Sequence, residues 1–262
     1  MLLLPYRGAQ APVKRCFWNA PQRRQVMPDL PLHLWYSITN LGSAGLTLPL
    51  ALAIALWLVT GYSWRMATSW LLLLGAAICL VTLTKIAFLG WGVGVRSYDF
   101  TGLSGHAMLS TAVYPVAFFL MMQGVRPVVR AAGVVVGLAI GIAVGCSRVV
   151  LDAHSPSEAV TGCIVGALTA LVFVRYWWEA QSGRLSAAVV ALSLAALTFG
   201  LHDVRVPTHR WVTHLALTVS GHDQPYIRAK WKANRPVHKP GTITAPVSQT
   251  RNTLAPARRE HA

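Results

Sequence analysis

"AAGVVVGLAIGIAVGCSRVVLDAHSPSEAVTGCIVGALTALVFV" occupies residues 131–174. Residues 131–147 carry no charge, and neither do residues 159–174. Between them, "SRVVLDAHSPSE" places Arg148, Asp152, His154 and Glu158 within residues 147–158. An apolar run of this length either fills a protein core or crosses a bilayer, so the rest of the chain decides. Charge-poor stretches recur at 42–64, 66–84, 106–125 and 185–201. A helix needs roughly 17–25 mostly apolar residues to cross the hydrocarbon layer. A buried core helix explains one such run, not six. The fold class is therefore all-α, a polytopic membrane helix bundle of about six transmembrane helices.

Composition agrees. The chain is 54% hydrophobic and 12% charged, whereas soluble domains carry about 25% charged residues. Its mean hydropathy is +0.49. Lys and Arg number 23 against 8 Asp and Glu. That excess sits in the tails and short loops, where membrane proteins carry positive charge, so the expected partner is the bilayer and not nucleic acid. The cysteines form no disulfide framework: Cys79, Cys146 and Cys163 lie in or at the ends of apolar runs, and Cys16 stands alone. The opening "MLLLPYRG" is too short for a signal-peptide core.

Three regions follow: a basic tail at 1–30, a membrane-embedded domain at 31–202, and a basic C-terminal tail at 203–262. Spans are expected near 43–61, 66–89, 104–123, 128–147 and 156–177, with the sixth ending near Leu201. "GWGVGVRSYDFTGLSG" at 90–105 holds five glycines and reads as a loop. Gly133, Gly137, Gly141 and Gly145 recur at every fourth position, and Gly162 and Gly166 repeat the device. Such a face lets a second helix approach closely. In the C-terminal tail, Trp211, Leu215 and Val219 fall on one helical face, as in a short interfacial helix. The tail histidines read as solvated, and the Pro-bearing stretch after Trp231 reads as disordered.

A charge at the bilayer centre costs about 2.5–3.5 kcal/mol on insertion scales, so ionisable clusters in or beside spans are functional by default. Ser155, Pro156 and Glu158 match the N-cap, N1 and N3 positions of a helix start. A capping box by itself accounts for Glu158, but not for His154 or Arg148. A second polar island, "TGLSGHAMLS", offers Ser104 as another N-cap, with Gly105 and His106 opening the next span. A helix N-terminus presents free N–H groups and the positive end of the dipole, an anion site. Two spans separate Ser104 from Ser147, so both islands fall on one membrane face. Lys85 and Arg96 flank the preceding loop on that face. Three cations, two histidines, an acid and a helix end suit a dianionic phosphate and phosphoryl transfer. No metal-ligand grouping competes, and neither metal nor other cofactor is expected.

At these residues the chain resembles the type 2 phosphatidic acid phosphatase family, which shares its site with vanadium haloperoxidases. That family carries a Lys…Arg-Pro motif, a Pro-Ser-Gly-His motif and a Ser-Arg-x5-His-x3-Asp motif. Here "SGHA" at 104–107 matches the second, with Leu103 in place of proline. Ser147, Arg148 and His154 match the third, with Glu158 in place of aspartate. The first departs most: Lys85 is followed by Arg96 at a longer gap, and Ser97 replaces the proline. The resemblance covers about residues 43–178. It implies that His154 attacks phosphorus, that Glu158 supports its imidazole, and that His106 protonates the leaving alkoxide. Lys85, Arg96, Ser104, Gly105 and Arg148 would hold the phosphoryl oxygens. Asp152, inside the x5 spacer, reads as structural.

The expected activity is hydrolysis of lipid phosphate monoesters or diphosphates, phosphatidic-acid-like or isoprenyl, without a metal. The alternatives are a phosphotransferase of the same fold and a non-catalytic lipid-binding or transport relative. Against transport, the helices show no inverted repeat, and the ionisable groups sit at helix ends. The expected location is a bacterial inner membrane. The basic tails would put the site in the cytoplasm, whereas the arginines of the opposite loops and the family's habit put it outside, which is the side preferred here.

Overall fold

The computed structural model describes residues 31–180, 187–201 and 206–233. The basic tail at 1–30, Cys16 and the stretch read as disordered lie outside the described residues. Among the described residues the chain is all-α, without strands. Its helices are α1 (Leu32–Asn40), α2 (Ala44–Gly61), α3 (Trp64–Trp91), α4 (Gly105–Met121), α5 (Pro127–Val150), α6 (Pro156–Tyr176), α7 (Ala187–Leu201), α8 (Thr208–Ser220) and α9 (Arg228–Ala233).

Among the described residues, four stretches are long and apolar enough to cross a membrane: 32–61, α3, α5 and α6. The apolar helices α4 and α7 are shorter, at 17 and 15 residues. The polytopic bundle is as expected, and length and composition identify four spans among the described residues where about six are expected. Thirteen residues of α4 are buried, so it runs inside the bundle and meets other helices more than lipid.

Helix starts follow the serines. Ser63, Ser104 and Ser155 cap α3, α4 and α6 by accepting from the backbone N–H of Met66, Ala107 and Glu158. Gly92, at φ +69°, ends α3 in the left-handed conformation that favours glycine. A tight hairpin follows, in which Val95 and Phe100 exchange backbone hydrogen bonds of 2.9 and 3.0 Å around a 3₁₀ turn at Arg96–Tyr98. The glycine-rich loop therefore has an ordered centre.

The core forms around α4, packed against α5 and α6. The glycine faces make this approach possible. A Cβ on Gly137 would lie 2.5 Å from the Pro115 nitrogen, and one on Gly141 would lie 2.6 Å from the Thr111 Cα. Both distances are too short for real atoms, so the close contact requires glycine. Tyr114 ties α4 to the α1–α2 turn by donating to the Leu41 carbonyl at 2.7 Å. Trp70 ties α3 to α2 by donating to the Ala51 carbonyl at 3.0 Å.

The segment at 206–233 packs on the site end of α3. Ala216 of α8 is buried with Phe88 and Leu89, while Trp211, Leu215 and Val219 remain exposed. The expected amphipathic helix thus docks on the bundle through its other face. Tyr226 N–H donates to the Leu89 carbonyl at 2.9 Å, and Trp231 packs edge-on against Phe88 at 5.6 Å. His222, read from sequence as solvated, donates through Nδ1 to the Gly90 carbonyl at 2.8 Å. His209 lines a cavity. Both histidines remain exposed, as expected, and these contacts add partners that local sequence does not encode.

Gly141→Leu should force α4 away from α5 and cost about 1–3 kcal/mol, the usual range for overpacking. Thermal unfolding in detergent should show a lowered Tm, while Val136→Leu, on an exposed position of α5, should leave it unchanged.

Candidate active site

The two polar islands meet because the helix starts of α4 and α6 are joined. Ser104 N–H donates to the Glu158 carbonyl at 3.1 Å. The spacer between Arg148 and His154 forms one closing turn at the end of α5. The N–H groups of Ala153 and His154 both donate to the Arg148 carbonyl, at 3.0 and 3.1 Å. Asp152 reverses the chain with φ +52°. The turn brings Arg148 and His154 to one cavity, with the exposed Asp152 at its rim.

That cavity has a volume of about 710 Å³ and is lined by Lys85, His106, Arg148, His154 and Glu158 together. His154 Nδ1 lies 2.7 Å from Glu158 Oε2. An ionised carboxylate only accepts, so Nδ1 carries the proton and Nε2 keeps its lone pair. The same Oε2 accepts from Ser155 N–H at 3.3 Å and completes a capping box. The capping and imidazole-supporting positions of Glu158 are therefore compatible. Its other oxygen, Oε1, accepts from Thr101 N–H at 2.7 Å and from the Thr101 hydroxyl at 2.6 Å. Arg228 Nη2 also donates to Oε1. The Glu158 side chain has no exposed surface.

The cations face this couple. An added Cβ on Gly105 would lie 3.7 Å from Lys85 Nζ, so the ammonium stands beside the first turn of α4. Arg148 donates through Nη1 to the Thr39 hydroxyl at 3.0 Å. Its buried Nε has no partner among the described residues. An unsatisfied buried donor is costly, and a ligand oxygen would satisfy it. Two cations beside the positive end of a helix repel one another unless an anion lies between them.

Three expected phosphate ligands, Arg96, Ser104 and Gly105, do not line this cavity. α3 continues to Trp91 and places Arg96 in the hairpin, where its guanidinium lies over the Trp231 ring at 5.2 Å from the centroid. Ser104 is fully buried, and its hydroxyl serves α4 as the N-cap acceptor. Gly105 lines a smaller cavity of about 130 Å³ that shares Lys85 and His106 with the larger one. Sequence reading missed Thr101, His209, Thr213 and Arg228, which line the larger cavity. Thr101 is a threonine in a glycine-rich loop, and the others lie in a segment that reads as a tail.

Burial pushes the His154 imidazole below its ordinary value, and Lys85 and Arg148 act in the same direction. The hydrogen bond and charge of Glu158 oppose them. His154 is therefore expected to be neutral at pH 7, with protonation setting in only below the ordinary histidine pKa of about 6.5. Titration of the ¹⁵N-histidine-labelled protein by NMR should place the His154 midpoint below that value, with Nδ1 as the protonated nitrogen.

The PAP2 superfamily model matches residues 83–182, from the end of α3 through α6. The chain is also 33% identical to an "Uncharacterized 22.5 kDa protein in cps region" of Klebsiella pneumoniae. That similarity spans 199 residues, 74% of this chain and 95% of the relative. No solved structure matches. The matched region contains both helix starts, the His154–Glu158 pair and the converging cations, and the chain belongs to the PAP2 superfamily, with its phosphatase-type fold.

Proposed function

We propose that this membrane protein is a phosphatase that hydrolyses lipid phosphate monoesters or diphosphates through a phosphohistidine. The observation that carries this reading is the convergence of Lys85, Arg148 and the α4 N-terminus on a cavity that also holds His154. The Nδ1 of that histidine is engaged by Glu158 and its Nε2 keeps a lone pair.

In the first step, the Nε2 lone pair of His154 attacks phosphorus and an N–P bond forms. The P–O bond to the lipid alkoxide breaks, and His106, which takes up a proton as the phosphate dianion enters beside Lys85 and Arg148, supplies the proton that the alkoxide takes. The Glu158 carboxylate offsets the positive charge that develops on the His154 ring. Lys85, Arg148 and the α4 backbone N–H groups hold the phosphoryl oxygens. In the second step, water attacks the phosphohistidine and gives its proton to His106, and phosphate leaves with the N–P electron pair returning to Nε2.

Support for a lipid substrate comes from the smaller cavity. Leu48, Ile78, Val81, Met108 and Leu109 line it beside Lys85 and His106. An amphiphile could place its phosphate in the polar cavity and its chain against this apolar wall. The loops and helix ends away from the site carry Arg65, Arg126, Arg130 and Arg175 against Glu179. By the positive-inside rule these short-loop arginines favour that side as cytoplasmic, against the long basic tails, which are poorer reporters of topology, and we propose an extracytoplasmic site in a bacterial inner membrane.

Purified protein should release phosphate from lipid phosphates, and turnover should persist in chelator. Loss of activity in chelator with recovery in Mg²⁺ or Zn²⁺ would overturn the metal-independent mechanism. His154→Ala should form no phosphoenzyme. His106→Ala should lose turnover on lipid phosphates and regain part of it on an aryl phosphate, whose leaving group needs no proton. Glu158→Gln retains a group suited to the N3 position but leaves Arg228 without its buried charge partner, so its Tm should fall, and in the fraction that remains folded kcat should fall about 10²-fold or more, in the range of lost acid–base support.

A further inference from the structure

We infer that Arg228, delivered by the C-terminal segment, is the positioning residue of the His154–Glu158 couple, an inference that rests on the phosphohistidine reading. Glu158 is separated from Arg228 by 70 residues in sequence, yet Arg228 Nη2 donates to Glu158 Oε1. The same Nη2 lies 3.0 Å from the Thr101 hydroxyl oxygen, and Arg228 Nε lies 4.0 Å from Asp99 Oδ1. The guanidinium thus sits behind the carboxylate, on the side opposite His154.

The position has a chemical consequence. Oε1 is held by Thr101 and Arg228, which leaves Oε2 to receive the imidazole and the Ser155 N–H. Glutamate has one more torsion than the aspartate usual at this motif position. A clamp on Oε1 removes the freedom that this torsion adds. A buried carboxylate also requires a charged partner, and a histidine that acts as nucleophile must be neutral. Lys85 and Arg148 make no hydrogen bond to Glu158 among the described residues, whereas Arg228 does.

The segment is anchored on both sides of Arg228. Tyr226 N–H is bonded to the Leu89 carbonyl, and Trp231 lies between Phe88 and the Arg96 guanidinium. Arg96, which stands apart from the phosphate cavity, therefore helps hold the element that carries Arg228. Other charged or titratable groups around the couple are Lys85 on α3, Asp99 in the hairpin, His106 on α4, Arg148 on α5, Asp152 in the turn and His209 on α8. Arg228→Gln removes one cation from this set and leaves the rest.

The test uses the full chain as wild type, Arg228→Gln, Arg228→Lys and Trp231→Ala, with three readouts: Tm, the ¹⁵N-NMR titration of His154, and phosphohistidine formation with kcat and KM. In Arg228→Gln the loss of the cation behind Glu158 should raise the His154 midpoint, and the acid limb of kcat/KM should move with it. kcat should fall about 10-fold or more with KM little changed, the pattern of a lost transition-state interaction. Arg228→Lys, which keeps the charge, should recover most of both. Trp231→Ala leaves the couple intact and loosens the anchor, so it should shift the His154 midpoint in the same direction. It carries the test if Arg228→Gln does not fold. An unchanged His154 midpoint and kcat in a folded Arg228→Gln would overturn the inference, as would a change in KM alone. A wild type that turns over without phosphohistidine would instead defeat the phosphohistidine reading, and the His154 titration would still decide whether Arg228 positions the couple.

Discussion

The Glu158 carboxylate is the constraint on which the site end of the molecule depends. It is fully buried and accepts from Ser155 N–H, His154 Nδ1, Thr101 N–H, the Thr101 hydroxyl and Arg228. These donors come from the α6 cap, the turn after α5, the loop before α4 and the C-terminal segment. A buried charge is tolerated only when its acceptor positions are filled. One carboxylate therefore holds three separate stretches of chain, at 101, 154–155 and 228, in register. Its backbone carbonyl adds a further link by accepting from Ser104 N–H, which aligns the start of α4 with that of α6.

The glycine faces act at the same point from the membrane side. The Gly141 contact brings α4 against α5, and Gly162 approaches the Ser104 carbonyl, with 2.6 Å between that oxygen and an added Cβ. Packing inside the bundle thus determines where the α4 N-terminus lies relative to Lys85 and Arg148. The anion-binding end is preorganised by apolar contacts remote from the phosphate, and few side chains must be ordered when a ligand arrives.

Polar and apolar requirements are separated in space around Lys85 and His106. The 710 Å³ cavity gathers the cations and the histidine–carboxylate couple, while the 130 Å³ cavity continues from the same two residues along an apolar wall. α8 spans both, since His209 lines each of them. The segment after α7 is therefore part of the site's architecture.

Sequence by itself determined the solvent, the fold class and the family. Bilayer length and the scarcity of charge define apolar helices without reference to one another. The boundaries of α2, α3, α5 and α6 follow from serine caps, prolines at N1 and the ends of charge-free runs. The pairing of His154 with Glu158, and the grouping of both with Arg148, was legible only through the resemblance to the family's Ser-Arg-x5-His-x3-acid spacing; in the structure the α6 capping box and the turn after α5 bring the three together. Tertiary structure alone decided the rest. Arg96 and Arg228 are both arginines outside the apolar runs, and nothing local distinguishes them. Only the docking of Tyr226 and Trp231 on α3 brings Arg228 to Glu158, and only the length of α3 leaves Arg96 on Trp231. Helical periodicity reports on neighbours within a turn, whereas a contact between residues 70 positions apart depends on where two packed elements end.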